Sequence, residues 1–208
     1  MSTTADDFWT TLPLGRGVQL ITQDAQGLAA FAKPAGVLSH PNTAADQPRS
    51  LLTARYALDG EYFEWSPGAG LPLRRLWLLN RLDSATSGVI LAAASEPLAR
   101  EVRAQFKRKQ VRKLYNALVF GRPKVARQVW HDRLMIDKRG GQVRTRGEGN
   151  IPCESLMSLL KRTEAEPFFS LIQLEPRTGR SHQLRVQCAM RHLPIVGDGT
   201  YGDFARNR

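Results

Sequence analysis

An α+β fold with a mixed, largely antiparallel sheet flanked by helices is what this sequence of 208 residues predicts. Its apolar runs are short and bounded by turn residues, the spacing of strands rather than of long helices. Only a few segments have helical character. Strands and helices do not alternate in the regular βαβ rhythm of a parallel sheet. This length fits one large domain or two small ones; no internal repeat and no linker interrupts the pattern, so residues 1–208 read as one domain.

Residues 1–15 are small and polar, end in Leu12-Pro13-Leu14-Gly15, and predict a loosely ordered extension. Val18 to Thr22 and Leu28 to Ala32 predict two short strands around the turn Asp24-Ala25-Gln26-Gly27. Arg49 to Leu58 has helical character. Tyr62 to Gly70 reads as a Pro/Gly-rich loop, with Trp65 exposed or packed over a neighbour. Leu76-Trp77-Leu78-Leu79 and Val89-Ile90-Leu91-Ala92-Ala93 have the length of buried strands and flank a charged turn. Glu96 to Lys109 predicts a helix opened by Ser95 as N-cap, with Pro97 in its first turn and Leu98, Val102 and Phe106 on its buried face. Lys113 to Gly121 predicts a strand whose alternation puts Lys113, Tyr115 and Ala117 on one face. Asp137 to Gly149, with Lys138, Arg139, Gly140, Gly141, Arg144 and Arg146, predicts a basic hairpin or flexible loop. Ser155 to Leu160 and Phe168 to Leu174 predict paired strands. Ser181 to Arg191 predicts a helix begun by the Thr178-Gly179-Arg180 loop, and Pro194 to Val196 leads into a Gly197-Asp198 turn.

Lys and Arg number 30 against 19 Asp and Glu, a net charge of +11. Of those cations 23 are Arg, whose planar fork suits phosphate and stacks on bases, so the excess points to nucleic acid; GC-rich coding also raises arginine. Cys153 and Cys188 are too few for a disulfide framework and suit a reducing compartment. The spacing of His182, Cys188 and His192 matches no zinc pattern, so no metal is expected. No apolar run approaches the roughly 18 residues of a membrane span, and the N-terminus, with Asp6 and Asp7, is no signal peptide. A cytoplasmic monomer that binds no membrane is the expectation. Helix residues Arg103, Lys107 and Arg108 form either a solvated cationic face or a phosphate track.

The turn Asn80-Arg81-Leu82-Asp83-Ser84-Ala85-Thr86-Ser87-Gly88 carries the chemistry. A charged Arg-x-Asp wedged between buried strands is costly unless the carboxylate is paired or used. The hydroxyls bond backbone groups, and the glycine is free to take positive φ. Asp83 is therefore a carboxylate held on a loop at a strand end. A structural Arg-Asp pair capping the turn is the alternative.

This turn resembles the His-Arg-Leu-Asp-x-x-Thr-Ser-Gly loop of the RluA-type RNA pseudouridine synthases. Three further segments resemble that family in its order. Lys33-Pro34-Ala35-Gly36 is similar to its early Lys-Pro-x-Gly turn, and Lys113-Leu114-Tyr115-Asn116-Ala117 to its Lys-x-Tyr-x-Ala strand. Thr178-Gly179-Arg180-Ser181-His182-Gln183-Leu184-Arg185 and Pro194-Ile195-Val196-Gly197-Asp198 are similar to its late motif and following turn. The resemblance runs from about Leu28 to Tyr201 and implies a pseudouridine-synthase-like fold. It implies an isomerase of structured RNA, ribosomal or transfer, that needs no cofactor. Asp83 then either attacks ribose C1′ or assists proton removal at C2′, and Arg185 is its ion-pair partner. Tyr115 would stack on the target base and accept the C5 proton, unless it is simply a core tyrosine. Arg81 would enter the RNA helix as the uridine leaves it. Lys113, Arg180 and His182 become RNA contacts, although His182 also suits a purely structural role.

Two departures from the pattern stand out. Asn80 occupies the family's usual His position. Family members commonly continue beyond the Gly-Asp turn, so the sequence predicts a shortened C-terminus, an uncovered edge near Gly197 to Tyr201, and poor order over Phe204 to Arg208. It also predicts no separate N-terminal RNA-binding module. Two other functions compete with the isomerase. A catalytically silent RNA-binding protein or chaperone would not need a carboxylate among cations, and a metal-dependent nuclease would need clustered carboxylates.

Overall fold

The computed structural model describes residues 5–139 and 142–208. The chain divides into two compact units, Met1–Gln110 and Val111–Arg208, each built on its own antiparallel sheet.

The first unit contains α1 (Ala5–Thr10), β1 (Gln19–Gln23), β2 (Leu28–Lys33), a 3-10 turn (Ala44–Arg49), β3 (Arg55–Ala57), β4 (Tyr62–Trp65), β5 (Arg74–Leu78), β6 (Gly88–Ala93) and α2 (Glu96–Lys107). The sheet order is β1-β2-β6-β5-β4-β3. Asp24 makes the β1–β2 turn by accepting the Gln26 and Leu28 N–H groups on Oδ1, each at 2.9 Å. β6 reads as a continuous apolar run because both of its faces are covered. Ile90 and Ala92 join the main core with Phe31, Phe63 and Leu76. Leu91 and Ala93 meet Ala99 and Val102 of α2.

Three local expectations fail here. The stretch expected to be a loose extension is packed: Phe8, Trp9, Leu12 and Leu14 join the main core, and Phe8 meets Trp65 edge-on at 5.4 Å. Four apolar residues that can reach one surface outweigh the polar composition around them. Arg49 to Leu58 is not a helix; it leaves a 3-10 turn and enters β3. Leu51 and Leu52 are both fully buried, and their neighbourhood hydrogen-bonds outward, Leu51 N–H to Leu38 O and Gly15 N–H to Leu51 O. Tertiary pairing has overridden local propensity. Tyr62 to Gly70 opens as β4 rather than as a loop, with Trp65 buried.

The second unit contains β7 (Tyr115–Phe120), β8 (Arg127–Arg139), β9 (Gln142–Gly147), β10 (Ile151–Arg162), β11 (Phe169–Pro176) and α3 (Gln183–Met190), with sheet order β7-β11-β10-β8-β9. The basic segment is the β8–β9 hairpin; Gly140 and Gly141 at its tip, and the side chains of Lys138 and Arg139, lie outside the described residues. Val119, Trp130, Met157, Ile172 and Leu174 form a core with Cys188 and Leu193. Burial pushes the Cys188 thiol up to about 12, which leaves it unreactive. α3 is pinned by polar bonds as well as packing. Its buried Gln187 accepts from Ser155 and donates to Asp132, which also pairs with Arg191.

The segment after the Gly197-Asp198 turn is anchored rather than poorly ordered. Asn207 accepts the Gly197 N–H and donates to Asp198 O, the Arg206 guanidinium lies 5.6 Å from the Phe120 ring centre, and Tyr201 packs beside Leu134 and Val186.

Candidate active site

In the first unit, Asp83 sits on a loop cradled by the early Lys-Pro-x-Gly turn. β5 and β6 pair at Trp77↔Ala93 and Leu78↔Ala92, and Leu79 N–H still reaches Leu91 O at 3.0 Å beyond them. Asn80 then completes the ladder with its side chain. Its Nδ2 donates to Val89 O at 3.1 Å, and its Oδ1 accepts the Leu91 N–H at 2.7 Å. Val89 O and Leu91 N–H thus keep partners where the strand ends, and the loop starts from a fixed point.

The loop closes on itself through Thr86 N–H to Asp83 O at 3.0 Å. The segment 33–40 holds it from below. Gly36 N–H donates to Ser84 O at 2.7 Å from a left-handed backbone (φ 86°) that suits glycine. Ser39 Oγ donates to Leu82 O at 2.7 Å and accepts the Leu82 N–H at 2.9 Å. Lys33 is almost wholly buried, and its ammonium donates to Val37 O (2.6 Å), Pro34 O (3.0 Å) and Ser84 O (3.2 Å). Burial, partly offset by the negative charge of Asp83, pulls the Lys33 pKa below the ordinary 10.5. Asp83 itself is half-buried, and Arg81 is exposed.

In the second unit the late motif is brought together around Tyr201. Arg185 makes a bidentate pair with Asp198, Nε to Oδ2 at 2.8 Å and Nη2 to Oδ1 at 2.7 Å, and its guanidinium lies 5.0 Å from the Tyr201 ring centre. Burial raises the Asp198 pKa, but Arg185 and the Tyr201 and Thr200 N–H groups outweigh it and hold the carboxyl below the usual 3.8. The Tyr201 hydroxyl accepts the Thr145 N–H at 2.9 Å and shares a hydrogen bond with His182 Nδ1 at 2.8 Å. His182 has a left-handed φ of 53° at the start of α3, a conformation commonest at turns and functional sites. Lys113 Nζ lies 3.6 Å from where a Cβ on Gly179 would be, which brings it beside the late loop; burial lowers its pKa. Tyr115 joins the core with Ala117, and Arg180 is exposed, with Nε 3.3 Å from Pro152 O.

The helix cations separate into two kinds. Lys107 and Arg108 are exposed. Arg103 points inward instead, donating to Leu78 O at 2.7 Å and Glu61 O at 3.1 Å and lying 3.5 Å from the Glu61 carboxylate. It serves to tie α2 to the sheet. Among the described residues no group of His, Cys, Asp and Glu could hold a metal ion, and no helix is long and apolar enough to cross a membrane.

The family model for RNA pseudouridylate synthase matches residues 27–190, from β2 through α3, and so spans every motif above except the Pro194–Asp198 turn. The chain belongs to the RNA pseudouridylate synthase family. It is 31% identical over 204 residues to the tRNA pseudouridine synthase C of Yersinia pestis, covering 92% of this chain and 73% of that protein. It is 38% identical over 130 residues to the ribosomal large subunit pseudouridine synthase C of Vibrio parahaemolyticus, covering 62% of this chain and 40% of that protein. The chain therefore spans less than half the length of the latter relative. The solved structure of human RNA pseudouridylate synthase domain containing 1 superposes with a TM-score of 0.67 at 22% identity, over 99% of this chain and 74% of that one. Human RNA pseudouridylate synthase domain containing 4 gives 0.64 at 24%, over 89% and 69%. Both carry the same α+β fold as this family member.

Sequence reasoning missed two supports of the Asp83 loop, Lys33 and Ser39. Lys33 was visible as part of the early motif, but nothing local says that its ammonium meets Ser84 O, 51 residues away. Asp198 was likewise visible only as a turn residue. Two predictions follow from these ties. Asn80→His keeps one ring nitrogen to accept and one to donate, so activity and pH–rate profile should stay close to the parent's. Asn80→Leu removes both ladder bonds and should cost about 1–2 kcal/mol in chemical denaturation. Asp198→Asn weakens the Arg185 pair. Because the folded carboxyl titrates below its unfolded value, the pair's contribution is whole above pH 3.8 and fades as pH falls through the lowered value. The parent should therefore lose stability in that acid interval, and Asp198→Asn should show a shallower loss there by thermal unfolding.

Proposed function

We propose that this family member is an RNA pseudouridine synthase that isomerises uridines in structured RNA, ribosomal or transfer, with Asp83 as the essential carboxylate. The observation that carries the reading is the Asp83 loop. A carboxylate lies within a turn tied by Lys33, Gly36, Ser39 and Asn80, so that the scaffold fixes the group chemistry would use. The isomerisation breaks the N1–C1′ bond, joins C1′ to C5, and exchanges the C5 proton for one on N1. It needs no redox change and no cofactor.

In this reading Tyr115 stacks on the detached base and takes the C5 proton, and Arg185 supplies the cation of the late motif. Arg81 fills the space the uridine leaves, and Lys113, Arg180 and His182 contact the RNA. Asp198 and Tyr201 hold Arg185 and His182 in place for these roles. Lys107 and Arg108 track phosphate, whereas Arg103 is removed from that set by its bonds to Leu78 and Glu61. The enzyme acts as a monomer in the cytoplasm, where its RNA is found.

The deciding experiment is tritium release from C5-tritiated uridine in unmodified transcripts of large-subunit ribosomal RNA and of transfer RNA, with and without chelator. Release that survives chelation, with pseudouridine in the digest, supports the reading. Binding without release would leave an RNA-binding protein, and chelator-sensitive strand cleavage a nuclease. Mapping pseudouridines lost in a deletion strain then names the site. Neutralising Lys107 and Arg108 together should lower the slope of log affinity against log salt by about 2 without changing the uridine chosen, since phosphate contacts position but do not specify.

A further inference from the structure

We infer that His40 is the positioning residue for Arg81, holding its guanidinium in a fixed direction at the rim of the Asp83 loop before RNA arrives. The inference rests on the function proposed above and adds a residue to it.

Arg81 Nη1 lies 3.2 Å from His40 Nε2. The other ring nitrogen of His40, Nδ1, lies 3.1 Å from the Pro41 carbonyl oxygen, which can only accept. Nδ1 therefore carries the proton, and Nε2 presents its lone pair to the guanidinium. The ring is itself held: it stacks on Tyr56 of β3 with centroids 4.7 Å apart and planes 9° apart, and Tyr56 meets Phe63 edge-on at 4.9 Å. The Tyr56 hydroxyl is buried with no hydrogen-bond partner among the described residues, so the tyrosine serves through its ring face. Ser39, the preceding residue, binds both backbone groups of Leu82, the residue after Arg81. Two adjacent residues of one segment thus grip two adjacent residues of the loop, one by main chain and one by side chain.

An exposed arginine at the end of a long stem samples many rotamers, and ordering it on binding RNA opposes affinity. Docking it in advance on a fixed imidazole removes part of that loss. The dock works only with a neutral ring. A second proton on Nε2 would set two donors and two cations against each other. The groups around the stack are Arg81 on the loop, Tyr56 on β3, Glu61 at the β3–β4 turn and Arg103 on α2. Arg103 is tied to Glu61 and Leu78, which leaves Arg81 as the cation in contact with His40.

The test is a double-mutant cycle on the tritium-release reaction with the same transcripts, using His40→Ala, Arg81→Ala and the double variant, with His40→Gln as rescue. His40→Ala should raise KM about fivefold, the worth of one exposed charge-assisted hydrogen bond, while kcat and thermal unfolding stay close to the parent's. In the Arg81→Ala background the same change should add nothing. His40→Gln, whose amide oxygen replaces the Nε2 acceptor, should restore KM. A fivefold rise that persists without Arg81, or a His40→Gln variant whose KM stays as high as that of His40→Ala, would overturn the inference. Should the parent release no tritium, the proposed function falls, and the contact is decided on the free protein by nitrogen NMR. A His40 Nε2 shift that moves in Arg81→Ala keeps the dock, and one that does not removes it.

Discussion

Asp83→Asn is expected to abolish tritium release, by on the order of 10⁴-fold or more, the scale seen when an essential reacting group is removed. The substitution keeps the shape of the side chain and every main-chain tie of the loop. Thr86 N–H still donates to the residue 83 carbonyl, and Lys33 and Gly36 still bind Ser84 O. Unfolding and RNA affinity should therefore stay near the parent's. Turnover within tenfold of the parent would show that the carboxylate is not the reacting group. A collapse of stability instead would show that Asp83 is the capping half of a structural pair.

Lys33→Met should give the largest stability loss among the loop's supports. Methionine has nearly the same reach, so the cavity term is small, but three carbonyl oxygens lose their shared donor. Ser84 O keeps the Gly36 N–H, so Pro34 O and Val37 O are the acceptors left short, and at about 1 kcal/mol for each the loss is about 2 kcal/mol. The pH dependence gives an independent signature. The folded ammonium titrates below 10.5, so between that lowered value and 10.5 the unfolded chain binds more protons, and parent stability rises with pH across the interval. That alkaline rise should vanish in Lys33→Met. Activity should fall as well, because Ser84 follows Asp83 directly. A fully stable variant with unchanged turnover would show that Gly36 and Ser39 hold the loop unaided.

Much of this architecture was legible because it rests on local periodicity. The two apolar runs around Asp83 became β5 and β6, Ser95 and Pro97 opened α2, and Asp24 made the turn between β1 and β2. The basic segment after Asp137 became the β8–β9 hairpin. The segment before Gly15 and the stretch from Arg49 to Leu58 were misread for the same reason. Each is decided by partners far along the chain: Trp9 by the core around Trp65, and Leu51 by the carbonyl of Leu38. Arg103 shows the limit within a correctly read helix. Its place in a basic run suggested solvent and phosphate, yet two carbonyls and a carboxylate within reach turned it inward.

By itself, then, the sequence determined the period of most strands and of α2 and α3, the turn chemistry, the family and the place of Asp83 in a turn between two strands, since all of these are written in residues close together along the chain. Only the tertiary structure decided what holds that aspartate's loop. Lys33, Ser39 and His40 reach it from 41 to 51 residues away along the chain. A hydrogen bond forms wherever folding brings a donor within about 3 Å of an acceptor, and no local pattern records which distant carbonyl a buried ammonium will find.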